Sequence, residues 1–331
     1  NSEPQNPLLP ANTNETGGGR IVDLIFAGLV AYEKDGTVTN EVAESIETSD
    51  NQTFTVKLKD GWTFSDGTPV TADSFIKAWN YGALMSNAQL SSYAYELIEG
   101  YSAEEDSELT GLAKVDDLTF TIKLTAPAHD FVKRLGTSAF YPLPESAYAD
   151  MAAFGQKPIG NGPYTLTEWA HDSQAVLAKN PSYQGVRLPK NEGITFIFYT
   201  SYDAAYNDLL SDAVDVIDAI PDSALASFQD ELGERAVNEP GALIQNFIIN
   251  VNAEHWKMDD EGRARRAALS RAINRKQICD TLFYDTRTPA SDFTSPTIPG
   301  WKDSVAGNEV LQFDEAEAKR LWDQAEAISS Y

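Results

Sequence analysis

The sequence predicts an α/β protein, and three observations carry that expectation. Short segments with period-two alternation, such as Phe54, Val56 and Leu58 set against Thr55 and Lys57, read as half-buried strands, and segments with helical apolar spacing lie between them. From Gly193 the order is strand, helix, strand: Ile194, Phe196 and Phe198 alternate, Ala205 and Leu209 share a helical face, and Val214 to Ile217 is a short apolar run. That βαβ pattern favours a twisted, mostly parallel sheet. Finally, 331 residues with 42% hydrophobic and 23% charged side chains can bury a substantial core and are expected to form two or three domains. No apolar run approaches the ~18 residues of a membrane span.

Each element can be justified in chain order. Residues 1 to 20, rich in Asn, Pro and Gly, read as an extended segment with turns, after which Ile21, Leu24, Ile25 and Leu29 have helical spacing. Gly28 and Tyr32 then lead into a Lys34-Asp35-Gly36 turn. The strand through Leu58 ends at Asp60-Gly61 and Ser65-Asp66-Gly67. Thr71 is placed to cap a helix, Asp73 favours its dipole, and Phe75, Ile76 and Trp79 form its apolar stripe. TFTVKL at Thr53 to Leu58 recurs as TFTIKL at Thr119 to Leu124, with helical Ala72 to Leu84 between, so the two strands are expected in one small sheet with its packing helix. Residues 45–154 therefore read as an inserted subdomain.

Gly160, Asn161 and Gly162 before Pro163 define a tight loop in which the backbone can turn at positive φ and approach a neighbour closely. Further on, Leu269 and Ile273 suggest an apolar seam, with Arg263, Arg265, Arg266, Arg271, Arg275 and Lys276 on an exposed face. Asn274 with Gln277 caps the next helix, where Cys279 fits a buried structural thiol. In the tail, Asp314 and Glu317 mark a capped start, and Ala318, Leu321, Trp322, Ala325 and Ile328 share one face.

Composition narrows the function. Fifty acidic against twenty-five basic side chains give a charge of -25, which repels phosphate backbones and argues against nucleic acid as a partner. One cysteine excludes an intrachain disulfide. Ser74-Phe75-Ile76-Lys77 matches the S-x-x-K of penicillin-binding serine enzymes, but Ser49-Asp50-Asn51 precedes it rather than following, and K-T-G is missing. His129, His171 and His255 lie far apart without zinc-ligand spacing, and there is no G-x-S-x-G elbow. No catalytic residue, metal site or cofactor is therefore expected. A binding module needs only a cleft with a few fixed polar groups.

The run from Asp60 to Asn80, DGWTFSDGTPVTADSFIKAWN, resembles the signature of the dipeptide and oligopeptide-binding family, the family 5 class of extracellular solute-binding proteins of ABC importers. Five other segments agree in order: EPQNPLLP from Glu3, IFAGLV from Ile25, PIGNGPY from Pro158, NPSY from Asn180, and RARRAALSRAINRKQI from Arg263. The resemblance implies a two-lobed periplasmic-binding-protein-like (type II) fold. Its first lobe would comprise 1–44 and 155–252, its inserted subdomain 45–154, and its second lobe would start at 253–331 and be incomplete, because family members run on beyond the equivalent of Tyr331.

It further implies delivery of a peptide to the transmembrane subunits of an ABC permease by closure of a cleft around the ligand, without catalysis. Ligand contacts would come from Glu3, Pro4 and Gln5, from a strand containing Gln245, Asn246 and Phe247, and from Tyr93 or Tyr95. An oligosaccharide or a nickel complex is the alternative solute, and a serine acyl-enzyme the alternative class. The protein is expected to be a monomer, outside the cytoplasm, either periplasmic or held at the cell surface by a lipid anchor upstream of Asn1.

Overall fold

Pairing between the named strands is antiparallel in the computed structural model, which describes residues 1–331. β1 (Val30–Tyr32) pairs with β2 (Val38–Asn40). β3 (Ala43–Glu47), β4 (Thr53–Leu58), β5 (Leu112–Asp116) and β6 (Thr119–Lys123) form a sheet of order β3-β4-β6-β5. β7 (Tyr164–Ala170), β8 (Gln174–Lys179) and β9 (Gly193–Ile197) form another in sequence order. The chain resolves into two compact units, residues 1–201 and 202–331, and all these strands lie in the first.

The twin strands are neighbours, as expected. Phe54 faces Ile122 and Val56 faces Phe120 across β4 and β6, so the alternating apolar residues of both copies fall on one buried face. The first unit also contains α1 (Thr16–Ile25), α2 (Ala72–Ala83), α3 (Phe131–Arg134) and α4 (Met151–Gln156). α2 covers that face with Phe75 and Trp79, whose rings lie 5.9 and 5.7 Å from Phe120. The indole N–H of Trp79 is satisfied by the Phe140 carbonyl at 3.0 Å, which lets so large a side chain be fully buried. Thr71 precedes α2, and its backbone N–H donates to Ser74 Oγ at 3.1 Å, the reciprocal arm of a capping box.

α1 differs from its expected start. The helix begins at Thr16, inside the Gly-rich stretch, and ends at Ile25, so Leu29 lies beyond it. The glycines are there for proximity: a Cβ on Gly17 would sit 2.5 Å from the Ser2 carbonyl oxygen, and one on Gly18 2.7 Å from Thr13 Cγ2. The chain's first residues run directly against this helical turn.

The expected βαβ unit does not form. Mixed α/β content is present, and β9 and α5 (Tyr202–Leu210) are where the periodicity places them, but Val214 to Ile217 is not a strand. Val214 and Ile217 pack instead on a small core of Tyr206, Leu209, Phe228 and Leu232, while Val216 is 82% exposed. A strand in a parallel sheet needs cover on both faces, which this run lacks.

The second unit is helical, with α6 (Phe228–Leu232), α7 (Asp260–Ala272), α8 (Arg275–Leu282) and α9 (Glu315–Ile328) after α5. Asn274 accepts from Gln277 N–H at 3.0 Å and Asp314 from Glu317 N–H at 2.9 Å, so both expected caps are made. Cys279 is buried in α8, and desolvation pushes its thiol pKa up, which favours the protonated form.

The basic run on α7 requires a correction. Arg265 is 0% exposed, held by Glu261 at 3.0 Å, Glu326 at 2.7 Å and the Ser329 carbonyl at 2.7 Å, and its guanidinium lies 4.8 Å from the Trp322 ring centre. Arg275 donates to the Ser270 carbonyl at 2.8 Å and the Leu311 carbonyl at 3.0 Å. These arginines tie segments together because a guanidinium can reach several acceptors at once. Leu269, expected in the buried seam, is partly exposed, and Ala264, Arg265 and Ala268 form the covered face. No helix is long and apolar enough to cross a membrane.

Candidate functional site

The N-terminal segment is the first candidate, and two carboxylates fix it. Glu15, just before α1, accepts from Gln5 N–H at 2.9 Å and from Asn6 Nδ2 at 3.0 Å. Glu3 reaches the turn between β7 and β8, where it accepts from Trp169 Nε1 at 3.2 Å and Asp172 N–H at 2.6 Å, with His171 Nδ1 at 2.8 Å. Asn1 adds backbone pairing, its nitrogen donating to the Ile197 carbonyl at 3.1 Å and its carbonyl accepting from Tyr199 N–H at 2.9 Å. Burial alone raises the Glu3 carboxyl, but the bonds from His171, Asp172 and Trp169 more than offset this and leave its pKa below the ordinary value. The link is therefore complete above the usual carboxylate range and is lost as pH falls through the lowered value.

Pro4 is buried against α1, whereas Gln5 is exposed. Tyr93 and Tyr95 separate clearly. Tyr93 is 67% exposed and free to meet a solute, but Tyr95 is 0% exposed, with its hydroxyl donating to the Ala139 carbonyl. Desolvation holds that phenol far above its normal pKa. The expectation that Tyr95 reaches a ligand is corrected, since it lies against Gly82 and serves the core.

Gln245, Asn246 and Phe247, expected in a strand, form none and pair with no strand, and all three are exposed, with Phe247 at 82%. Gln245 Oε1 accepts from Arg287, while Leu243 and Ile248 beside them are also exposed. A strand apolar on both faces needs neighbours to register with, and here it has none.

The loop at 160–163 bears out the close approach read from its sequence but not the positive φ. Neither Gly160 nor Gly162 has positive φ; both are required by close approach. A Cβ on Gly160 would lie 1.8 Å from the Ile25 carbonyl oxygen, and one on Gly162 2.6 Å from Phe26 N. Between them the buried Asn161 acts as an extra peptide unit, accepting from Ala27 N–H at 2.9 Å and donating to the Ala27 carbonyl at 3.0 Å. Asn180 Nδ2 holds the Gly162 carbonyl at 2.8 Å. Arg187 completes this frame, donating to the Phe26 carbonyl at 2.8 Å and pairing with buried Glu41 at 2.9 Å. The end of α1 is thereby anchored despite its orphan carbonyls.

The serine motif is engaged elsewhere. Ser74 Oγ accepts the Thr71 N–H, and Lys77 pairs with Glu145 at 2.6 Å. Asp50 of the S-D-N element accepts from Gln52 and Thr53 N–H at 2.9 and 2.8 Å, as a turn residue does. The enclosed space lined by Leu9, Pro10, Tyr81, Tyr141 and Leu143 contains none of the candidate residues. Sequence reasoning missed Trp169, His171, Asp172 and Gln156. Their one signal is an aromatic, a histidine and an aspartate packed into the end of a strand, at Trp169-Ala170-His171-Asp172.

Comparison with known proteins agrees with this framework. Residues 37–328 match the family described as bacterial extracellular solute-binding proteins, family 5 middle. The chain is 26% identical over 321 residues to the dipeptide-binding protein DppE of Bacillus subtilis, covering 93% of this chain and 57% of that protein. The solved murein tripeptide-binding protein MppA of Escherichia coli superposes with a TM-score of 0.82 at 23% identity, over 100% of this chain and 65% of that one. NikZ from Campylobacter jejuni in complex with Ni(L-His) superposes at 0.73 and 20% identity, over 98% of this chain and 62% of that one. The chain thus spans a little over half the length of the curated relatives it matches.

Proposed function

This chain belongs to the family 5 bacterial extracellular solute-binding proteins, and from that premise we propose that it forms part of a receptor that binds a peptide outside the cytoplasm, closes around it and hands it to an ABC importer. The observation that carries the proposal is the match over residues 37–328. Relatives such as DppE, named for dipeptide binding, support a peptide as the solute. A peptide suits an exposed segment without strand partners such as the one containing Gln245, because backbone amides pair like an added strand and leave side chains free to vary.

On this reading the ligand is met by Glu3 and Gln5, by Tyr93, and by Gln245, Asn246 and Phe247, while Pro4, expected among the contacts, is buried against α1 and holds the segment in place. The lobe boundaries read from the sequence, 1–44 with 155–252, 45–154 and 253–331, accompany the proposal. The sheet of β3 to β6 with α2, all within residues 43–123, supports 45–154 as an inserted subdomain. Periplasmic or surface-anchored placement, a monomeric state and docking on permease subunits belong to the same reading, with no catalytic step.

Isothermal titration with a defined peptide pool tests it. The Tyr93→Ala and Phe247→Ala variants of a peptide-binding protein are each expected to weaken binding about fivefold to tenfold, about 1 to 1.4 kcal/mol, with unchanged stability. Unaltered affinity in both places the peptide elsewhere, and heat released by an oligosaccharide in place of peptide changes the solute.

A further inference from the structure

The turn after β7 brings together four side chains whose hydrogen-bonding capacities specify a protonation state. His171 Nδ1 faces Glu3 Oε1 at 2.8 Å, and Nε2 faces Gln156 Oε1, on α4, at 3.1 Å. With the Gln156 amide oxygen turned toward the ring both partners are acceptors, so a ring that bonds both donates at both nitrogens and is an imidazolium. The ring lies 4.5 Å from that of Trp169, which donates to the same Glu3 oxygen. Glu3 is the charged group opposite the imidazole. Gln156 is neutral, and Asp172, next along the turn, contributes its backbone N–H to Glu3 Oε2.

Glu3 is the point where the first residues of the chain are tied to this turn. We propose that His171 is a positioning residue: as an imidazolium acting through Glu3, it holds the segment Glu3–Gln5 in the place from which it meets the ligand. The inference rests on the proposed peptide-binding role of that segment. Loss of the His171 proton leaves one ring nitrogen unable to donate, so either the Glu3 contact weakens or the Gln156 amide turns over. In either case the charge assistance that fixes Glu3 is gone. Binding is therefore expected to weaken when the ring gives up that proton, and to weaken again in acid when Glu3 is protonated.

Two readouts on the complete protein test this and keep it apart from the peptide reading. In ¹⁵N NMR the ring of His171 is expected to show both nitrogens protonated while the Glu3 and Gln156 contacts are made, and the Asp172 amide proton to move as the ring loses its second proton. That movement is expected to vanish in His171→Gln, and in Glu3→Gln the amide proton should lose its carboxylate-bonded downfield position. Peptide affinity of the wild type is expected to fall several-fold over the same titration and that of His171→Gln to stay flat. A singly protonated ring throughout, or an Asp172 amide that titrates equally in His171→Gln, overturns the clamp. A clamp present by NMR with pH-independent peptide affinity in the wild type overturns its positioning role, and absence of peptide binding at every pH overturns the peptide reading instead.

Discussion

Gly160→Ala is expected to lower the stability of the first unit by more than about 4 kcal/mol, a size reserved for a few severe mechanisms. The new Cβ would meet the Ile25 carbonyl oxygen at 1.8 Å and its carbon at 2.7 Å. Those are backbone atoms at the end of α1 and cannot rotate away. They are also pinned from the other side, since Gly162 N–H donates to that same Ile25 carbonyl at 2.9 Å and Asn161 brackets Ala27. Moving the loop would break these bonds together with the Ser65 N–H contact to the Gly160 carbonyl at 2.8 Å. Urea unfolding measures the loss. Gly19→Ala serves as the control, because nothing lies within 4 Å of its added Cβ, and a helical Gly→Ala change should stabilise by about 0.5–1 kcal/mol.

Arg265→Ala is expected to cost about 3 kcal/mol in the second unit. Its guanidinium is fully covered, and removal leaves Glu261, largely buried, and Glu326 without their shared cation, an arrangement that typically costs about 3–5 kcal/mol. The figure is set at the low end because Glu326 is partly exposed and can be rehydrated. The stack on Trp322 and Tyr331 is lost as well. Arg263→Ala, two residues away in sequence but solvent-facing and 3.7 Å from exposed Asp260, is expected to change stability by less than about 0.5 kcal/mol. Urea midpoints followed by tryptophan fluorescence, with Trp322 beside the site, compare the two variants.

The contrast between these arginines shows what a sequence can carry. Local order was legible: the paired strands at Phe54 and Phe120, the start of α2 after Thr71, and the caps Asn274 and Asp314 follow from periodicity and side-chain chemistry within a few residues. Arg265 was misread because its neighbours share its charge, while the partners that draw it inward, Glu326 and Trp322, are distant in the chain. At Gly160 a close approach was legible in the sequence, but not the neighbour it meets. Its need for a missing side chain comes from Ile25, and no local pattern reports a backbone brought up from that far away.

The candidate site shows the same division. Glu3 was picked out by resemblance, but its partners Trp169, His171 and Asp172 arrive through strand topology. Tyr93 and Tyr95 sit two residues apart in one short 3-10 turn, where one faces solvent and the other the Ala139 carbonyl. Val214 to Ile217 has the composition of a strand, yet pairing requires a neighbouring strand and cover on both faces, which composition does not encode.

Native mass spectrometry of the protein purified without refolding tests the central claim most directly, because a solute receptor retains what it has bound. The account predicts a peptide-sized adduct that leaves on collisional activation, is identified as peptide by fragmentation, and exchanges for an added peptide pool. Retention of an oligosaccharide or a nickel complex with no uptake from the peptide pool would contradict it.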